Sequence, residues 1–183
     1  MIAVKKAGTT PLLDTLDDYR ARIVLSMLIR ADPSRIERSE EYARSLLECV
    51  DYKNVADSLY SELNSIESED VWDSSGKQRD GSYVDTGERA YEMVEEILEP
   101  YRDEISTYLQ RGMPDASREY CMGVILGLWR INMDSYADLL EEIPDSFLDF
   151  IEMIKDDWEK EVKDSEQIAL LSKWMKEEGI GPL

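Results

Sequence analysis

The sequence predicts an all-α protein, a single domain over residues 1–183 built as a bundle of seven or eight helices. Apolar residues recur at spacings of three and four along nearly the whole chain, which is the period of a helix. The chain has no strand-like alternation of apolar and polar residues flanked by hairpin turns. A succession of helical hairpins also leaves a solenoid-like stack open as a variant of the bundle.

The first third of the chain predicts three helices after a disordered tail, residues 1–9. Thr10 and Pro11 suit the cap and first turn of the first helix, which Asp32-Pro33 ends. Ser39 suits the cap of the second helix. The faces predicted to be buried in the second and third helices are Tyr42, Leu46 and Cys49, and then Val55, Leu59, Leu63 and Ile66.

Residues 68–86, SEDVWDSSGKQRDGSYVDT, interrupt the helical period and predict the longest internal loop. Trp72 and Tyr83 are isolated aromatic residues within it, which makes them candidates for partner contact. Asp85 and Glu88 have the spacing of a capping box and predict the start of the next helix. That helix continues in phase across Pro100, as one kinked or two nearly collinear helices, and ends at Gly112.

The segment YCMGVILGLW, residues 120–129, predicts the central helix of the bundle, over about residues 115–133. A glycine inside a helix costs about 1 kcal/mol relative to alanine. Gly123 and Gly127 lie one turn apart, so we expect them to allow a neighbouring helix to approach closely. Pro144 then opens a helix burying an aromatic and aliphatic stripe, and a last helix ends at Gly179 with Ile180 folded back on it. The stripe is Phe147, Phe150, Ile151, Ile154 and Trp158.

Residues 83–129, followed by Phe147 and Trp158, resemble a helical region found in poorly characterised prokaryotic proteins. Some of those proteins carry a SWIM-type zinc finger upstream of this region. No cysteine-histidine cluster is present here to form the finger. The resemblance, over about residues 83–158, therefore implies a helical accessory or interaction domain and brings no catalytic residue with it.

The residue types exclude several catalytic classes. The chain contains no histidine, which rules out Ser-His-Asp and Cys-His catalysis and histidine metal sites. Its two cysteines, Cys49 and Cys121, cannot form a four-ligand zinc site and are expected to be buried thiols in a reducing cytoplasm. No nucleotide-binding glycine motif occurs. We therefore predict no catalytic residue and no cofactor, and expect no membrane span because the apolar run is too short.

Carboxylates leave one enzymatic alternative open. Glu92 and Glu95 lie at helical spacing, and Asp138 on another helix completes a conceivable Mg²⁺ site. All-α nucleotide pyrophosphatases use such ExxE pairs, so the alternative function is a Mg²⁺-dependent phosphohydrolase. Glutamates opposite an apolar stripe are, however, more often a solvated face.

The charge of the chain favours a basic protein partner. Its net charge of -20 disfavours direct binding to nucleic acid or to an anionic membrane. Residues 134–166 contain thirteen acidic side chains against three lysines, a field that attracts basic proteins, although a merely solvated exterior has the same composition. We predict a non-catalytic interaction or adaptor module, with a homo-oligomer left open, that contacts its partner through Trp72, Tyr83, Asp149 and Glu152.

Overall fold

The computed structural model describes residues 12–77, 83–134, 142–144 and 146–181. The predicted tail, residues 1–9, the predicted helix start at Thr10 and Pro11, and Asp138 lie outside these residues. Eight α-helices occur in the described part of the chain and confirm the all-α prediction. They are α1 Asp18–Ala31, α2 Arg35–Leu47, α3 Tyr52–Leu63, α4 Ser68–Ser74, α5 Thr86–Gln110, α6 Pro114–Met133, α7 Ser146–Val162 and α8 Ser165–Glu177.

Contacts between Cα atoms divide the chain into two compact units, residues 1–47 and 48–183. The sequence predicted one domain over the whole length. The two units differ in burial, since no residue in 12–47 is buried whereas 48–181 contains the hydrophobic core. Hydrophobic periodicity identifies the apolar face of a helix but does not identify what covers it, so the division was not visible in the sequence.

The first unit contains α1 and α2. The Asp17 side chain caps α1 by accepting a hydrogen bond from the Arg20 backbone N–H at 2.8 Å. After Asp32 and Pro33, α2 begins at Arg35, four residues before the predicted cap at Ser39. The burial predicted for three residues of this region is wrong. Tyr42 is 56% exposed, Leu46 is 76% exposed, and Cys49, just beyond α2, is exposed as well.

The core of the second unit is built around α6, which confirms the predicted central helix. Half of its twenty residues are buried, including Gly123 and Gly127, and it packs against α3, α5 and α7. A Cβ atom added at Gly123 would lie 2.6 Å from Val55 Cβ and 2.7 Å from the Tyr52 carbonyl oxygen. At Gly127 it would lie 3.1 Å from the Ala56 carbonyl oxygen. The two glycines therefore allow the backbones of α3 and α6 to approach closely.

A buried hydrogen-bond chain ties three helices of this core together. Trp158 of α7 donates its Nε1–H to the Ser117 hydroxyl oxygen of α6 at 3.0 Å. That hydroxyl donates in turn to the Ile105 carbonyl oxygen of α5 at 3.0 Å. Ser117 is fully buried and Trp158 is 1% exposed, so these hydrogen bonds satisfy polar groups that would otherwise lack partners.

Two helices of the second unit end at glycines, as the sequence predicted. Gly112 follows α5 with φ +69°, and the Met113 N–H donates to the Tyr108 carbonyl oxygen at 3.0 Å. Gly179 follows α8 with φ +70°, and the Ile180 N–H donates to the Met175 carbonyl oxygen at 2.8 Å. Both are Schellman ends, in which a left-handed glycine reverses the chain onto the last turn.

The segment predicted as one long loop, residues 68–86, contains regular structure. Residues 68–74 form α4, which buries Val71, and strands β1 Gly76–Lys77 and β2 Tyr83–Val84 pair in antiparallel register. A seven-residue helix with one buried residue has too few apolar positions to show a period. Downstream, α5 runs through Pro100 as a single helix. No helix in the described residues is long and apolar enough to cross a membrane.

Candidate protein-binding surface

An apolar groove lies between α7 and the end of α8. Its volume is about 620 Å³, and it is lined by residues that include Leu148 and Ile151 of α7 and Met175 and Ile180 from the α8 side. Ile151 and Ile180 are almost fully buried and form the floor, whereas Leu148 is 37% exposed. The groove thus presents apolar side chains that a partner can cover.

The local sequence explains why these side chains meet. The predicted stripe of α7, including Phe147, Phe150 and Trp158, is buried as expected and orients the helix on the core. Leu148 falls outside that stripe and so remains at the groove. Ile180 reaches the floor of the groove because Gly179 reverses the chain at the end of α8. One helix face and one left-handed glycine therefore define the groove.

Acidic and basic side chains surround this apolar floor. Asp149 and Glu152 are exposed residues of α7 at the groove, and neither makes a salt bridge with any described residue. Lys155 and Lys176 also line it. Lys155 is already paired with Glu159 at 3.0 Å, an interaction that raises the pKa of its amine against the effect of burial. The two carboxylates of Asp149 and Glu152 are therefore the charges left for a ligand on α7.

The negative field of this surface extends to a neighbouring aromatic pair. Tyr91 of α5 packs on Phe150 of α7, with ring centroids 4.5 Å apart. Burial raises the pKa of the Tyr91 hydroxyl, and the negative charges of Glu95 and Asp149 raise it further. Glu95 of α5 and Asp149 of α7 therefore both act on the same tyrosine.

Trp72 and Tyr83 are exposed, at 60% and 74%, but the structure does not join them to the groove. Trp72 lies on α4 and donates its Nε1–H to a Glu142 carboxylate oxygen at 2.9 Å. Tyr83 lies on β2. Among these described residues, no hydrogen bond, ion pair or ring contact links either aromatic side chain to Asp149 or Glu152. Trp72 and Tyr83 are therefore exposed aromatic residues on α4 and β2, separate from the contacts of the groove.

Several acidic side chains of residues 134–166 have internal partners. Asp157 of α7 pairs with Arg102 of α5 at 2.7 Å, and Glu161 accepts a hydrogen bond from the Ser106 hydroxyl at 2.9 Å. These contacts tie α7 to α5. Exposed ion pairs of this kind contribute little stability, about 0–1 kcal/mol. They do, however, neutralise carboxylates that the sequence count of residues 134–166 included as unpaired negative charge.

The carboxylates of the enzymatic alternative do not assemble in the described residues. Glu92 pairs with Arg89 at 3.0 Å, and Arg89 also pairs with Glu96 at 3.1 Å. These two glutamates raise the pKa of the Arg89 guanidinium. Glu95 is exposed on the same helix. Where side chains are described, no group of three or more acidic or cysteine residues is placed to hold a metal, and Asp138 lies outside that part of the chain.

The acidic residues of the groove could be selected from the sequence, whereas its apolar residues could not. Asp149 and Glu152 were singled out by local charge. Leu148 and Met175 were not, although Leu148 is an apolar residue that falls off the buried stripe of its helix. Such an off-stripe residue is the signal that was available. The contribution of Ile180 could not be inferred, because its place depends on the packing of α8 against α7.

No family model, curated protein or solved structure matches this chain. The resemblance of about residues 83–158 to helical regions of prokaryotic proteins therefore stays a prediction.

Proposed function

We propose that this protein is a non-catalytic interaction or adaptor module that binds a basic, amphipathic segment of a partner protein. The single observation that carries the proposal is the apolar floor of the α7–α8 groove beside two carboxylates, Asp149 and Glu152, that have no ion-pair partner among the described residues. An amphipathic helix binds such a groove by laying its apolar face on the floor. Lysine or arginine residues flanking that face would then meet the two carboxylates.

Two further properties support a basic partner. The chain carries 41 acidic against 21 basic residues, and a field of one sign accelerates encounter with an oppositely charged protein. The same field repels phosphate backbones, which disfavours nucleic acid as the direct ligand. The exposed side chains of Trp72 and Tyr83 provide a second contact area, because aromatic residues contribute strongly to protein interfaces. Two free cysteines are compatible with action in the cytoplasm.

The test uses a defined probe rather than an unknown partner. A fluorescently labelled helical peptide of leucine and lysine, with the leucines on one face, is titrated with the full chain and followed by fluorescence anisotropy. Asp149→Lys together with Glu152→Lys should weaken binding about tenfold or more, since opposed charge pairs become repulsive. Leu148→Ser should weaken it about threefold to tenfold by removing apolar surface.

A matched control separates groove binding from general attraction. Glu99→Lys with Asp103→Lys makes the same change in net charge on exposed positions of α5 that do not line this groove. We expect this control to bind the peptide within about threefold of wild type at moderate salt. Equal weakening by the two double variants would show that the peptide senses only net charge, and the proposal would fail.

A further inference from the structure

The helices of the first unit, α1 and α2, expose nearly all of their apolar side chains. Tyr19 is 74% exposed, Met27 is 65% exposed, and Leu46 of α2 is 76% exposed. None of the residues from 12 to 47 is buried. Helices of 14 and 13 residues are marginal in water without tertiary packing. An uncovered apolar surface of this extent marks an interaction site.

The distribution of these residues indicates a helical partner rather than a flat one. On α1, Tyr19, Ile23 and Met27 share one face, whereas Leu25 and Leu28 point to other sides of the helix. A helix that is apolar on more than one side belongs inside a bundle. A helix that lies on a membrane is apolar on one side only and basic on the other. In residues 12–47, however, seven acidic residues accompany six arginines.

The charges of the two units indicate which part of the chain can meet a second copy. Residues 48–183 contain 34 acidic and 13 basic side chains, so two such units repel each other. Residues 1–47 contain seven acidic and eight basic side chains. The first unit is therefore almost neutral, and its arginines and carboxylates can pair with those of an identical surface. A two-fold symmetric interface needs this kind of self-complementarity.

The exposed apolar area is large enough for such an interface. Nine large apolar side chains of α1 and α2 are more than a third exposed. If each loses on the order of 90 Å² on association, each copy covers roughly 800 Å², which is the size of a standard stable interface. Such an interface would cover the apolar side chains that both helices expose.

We propose that α1 and α2 form the interface between two copies of this chain, as a four-helix bundle to which each copy contributes two helices. The proposal is independent of the α7–α8 groove. It would also give the assembly two grooves, so a partner with two basic segments would bind with avidity.

The oligomeric state of the full chain tests the proposal. Sedimentation equilibrium from low micromolar to high micromolar concentration should give twice the chain mass of 21.1 kDa. Leu46→Asp and, independently, Ile23→Asp should shift the dimerisation Kd at least about a hundredfold toward monomer, because each places two charges in an apolar interface. Ser45→Asp adds the same charge at a neighbouring exposed position off the apolar face and should leave the dimer intact.

A second measurement keeps the test informative if a variant alters the helices themselves. Cys49 is exposed and lies two residues beyond α2, whereas Cys121 is buried, so a spin label attaches selectively at Cys49. Dipolar coupling between the two labels of a wild-type dimer should disappear in Leu46→Asp. A wild type of 21.1 kDa at every concentration overturns the proposal, as does dimerisation retained in both aspartate variants. Binding of a monomeric wild type to vesicles containing an anionic lipid would also overturn it, in favour of a membrane surface.

Discussion

Replacing Gly123 by alanine tests the close approach of α3 and α6. The added Cβ would lie 2.6 Å from Val55 Cβ, 2.8 Å from Val55 Cγ1 and 2.7 Å from the Tyr52 carbonyl oxygen. Carbon atoms pack best at about 3.5–4.0 Å, so α3 must move by roughly an ångström. Because one of the obstructing atoms belongs to the backbone, a side-chain rotation cannot relieve the contact.

Two opposing effects set the magnitude. Overpacking a core typically costs about 1–3 kcal/mol and occasionally more, and alanine is better than glycine in a helix by about 1 kcal/mol. Because backbone must move at Gly123, we expect the overpacking cost to lie in the upper half of that range, so that after the gain of about 1 kcal/mol Gly123→Ala loses about 1–2 kcal/mol of unfolding free energy. Gly127→Ala meets its nearest atoms at 3.1 Å, which requires shifts of only a few tenths of an ångström. For Gly127→Ala the overpacking cost and the gain in helix propensity should therefore largely cancel. The unfolding free energy should change by no more than about 1 kcal/mol.

Urea denaturation followed by circular dichroism at several protein concentrations measures these differences. Gly87→Ala is a matched control, since Gly87 lies in the first turn of α5 and its added Cβ would lie 3.3 Å from Asp85 Oδ1 and 3.4 Å from the Glu142 carbonyl oxygen, distances that require only a small shift. We expect this control to be neutral or slightly stabilising. If Gly123→Ala is as stable as the wild type, helix propensity dominates and the close approach inferred from Gly123 is wrong.

Three further predictions concern the second unit. Ser117→Ala should lower the unfolding free energy by about 1–3 kcal/mol in urea titrations, because the buried Trp158 Nε1–H loses its acceptor; an unchanged midpoint would contradict this role. In the native protein a thiol reagent should modify Cys49 alone, and Cys121 only in denaturant, since Cys121 is fully buried and burial raises the pKa of its thiol. Burial also raises the pKa of Glu119 above its ordinary value of 4.5, so the folded state holds this proton more tightly than the unfolded state does. The contribution of the carboxyl group to stability therefore falls as the pH rises from about 4.5 through the folded pKa. Glu119→Gln should therefore gain stability relative to the wild type between about pH 4 and pH 7, and a constant difference between the two unfolding curves would refute the shift.

The core helices could be predicted from the sequence because several local signals agree there. Three signals predict α6: the apolar run, the glycine spacing, and the end of the preceding helix at Arg111-Gly112-Met113-Pro114. The stripe from Phe147 to Trp158 likewise has the clear spacing of a buried helix face. Agreement between local signals is the condition under which sequence patterns are informative. The polar link between Ser117 and Trp158 could not be inferred, because it depends on the packing of α6 on α7.

Local signals failed where a face has no partner within its own unit or where an element is very short. Tyr42 and Leu46 have the period of a buried helix face and are nevertheless exposed. Their spacing correctly indicates one face of a helix, but spacing does not show whether another part of the protein covers that face. For α4, the backbone N–H of Glu67 donates to an Asp70 carboxylate oxygen at 3.3 Å, a start signal that was overlooked because its helix lasts only seven residues.

The partner-contact residues stay a prediction, and the structure shows only where they lie. Asp149 and Glu152 do lie beside a groove, which local charge alone could not show. Trp72 and Tyr83 are exposed, yet the prediction treated them as loop residues and the structure places them on α4 and β2. Apolar residues that fall outside a buried stripe, such as Leu148, are therefore the better sequence marker of this kind of surface.

The positive φ of Gly179 places Ile180 in the α7–α8 groove. A side chain at this position would be strained by about 1–2 kcal/mol, and releasing that strain would let Ile180 swing out into water. Most of the core lies elsewhere, so the protein would still fold while the groove lost Ile180. Under the proposed function, a change at this one residue would abolish partner binding without lowering the abundance of the protein.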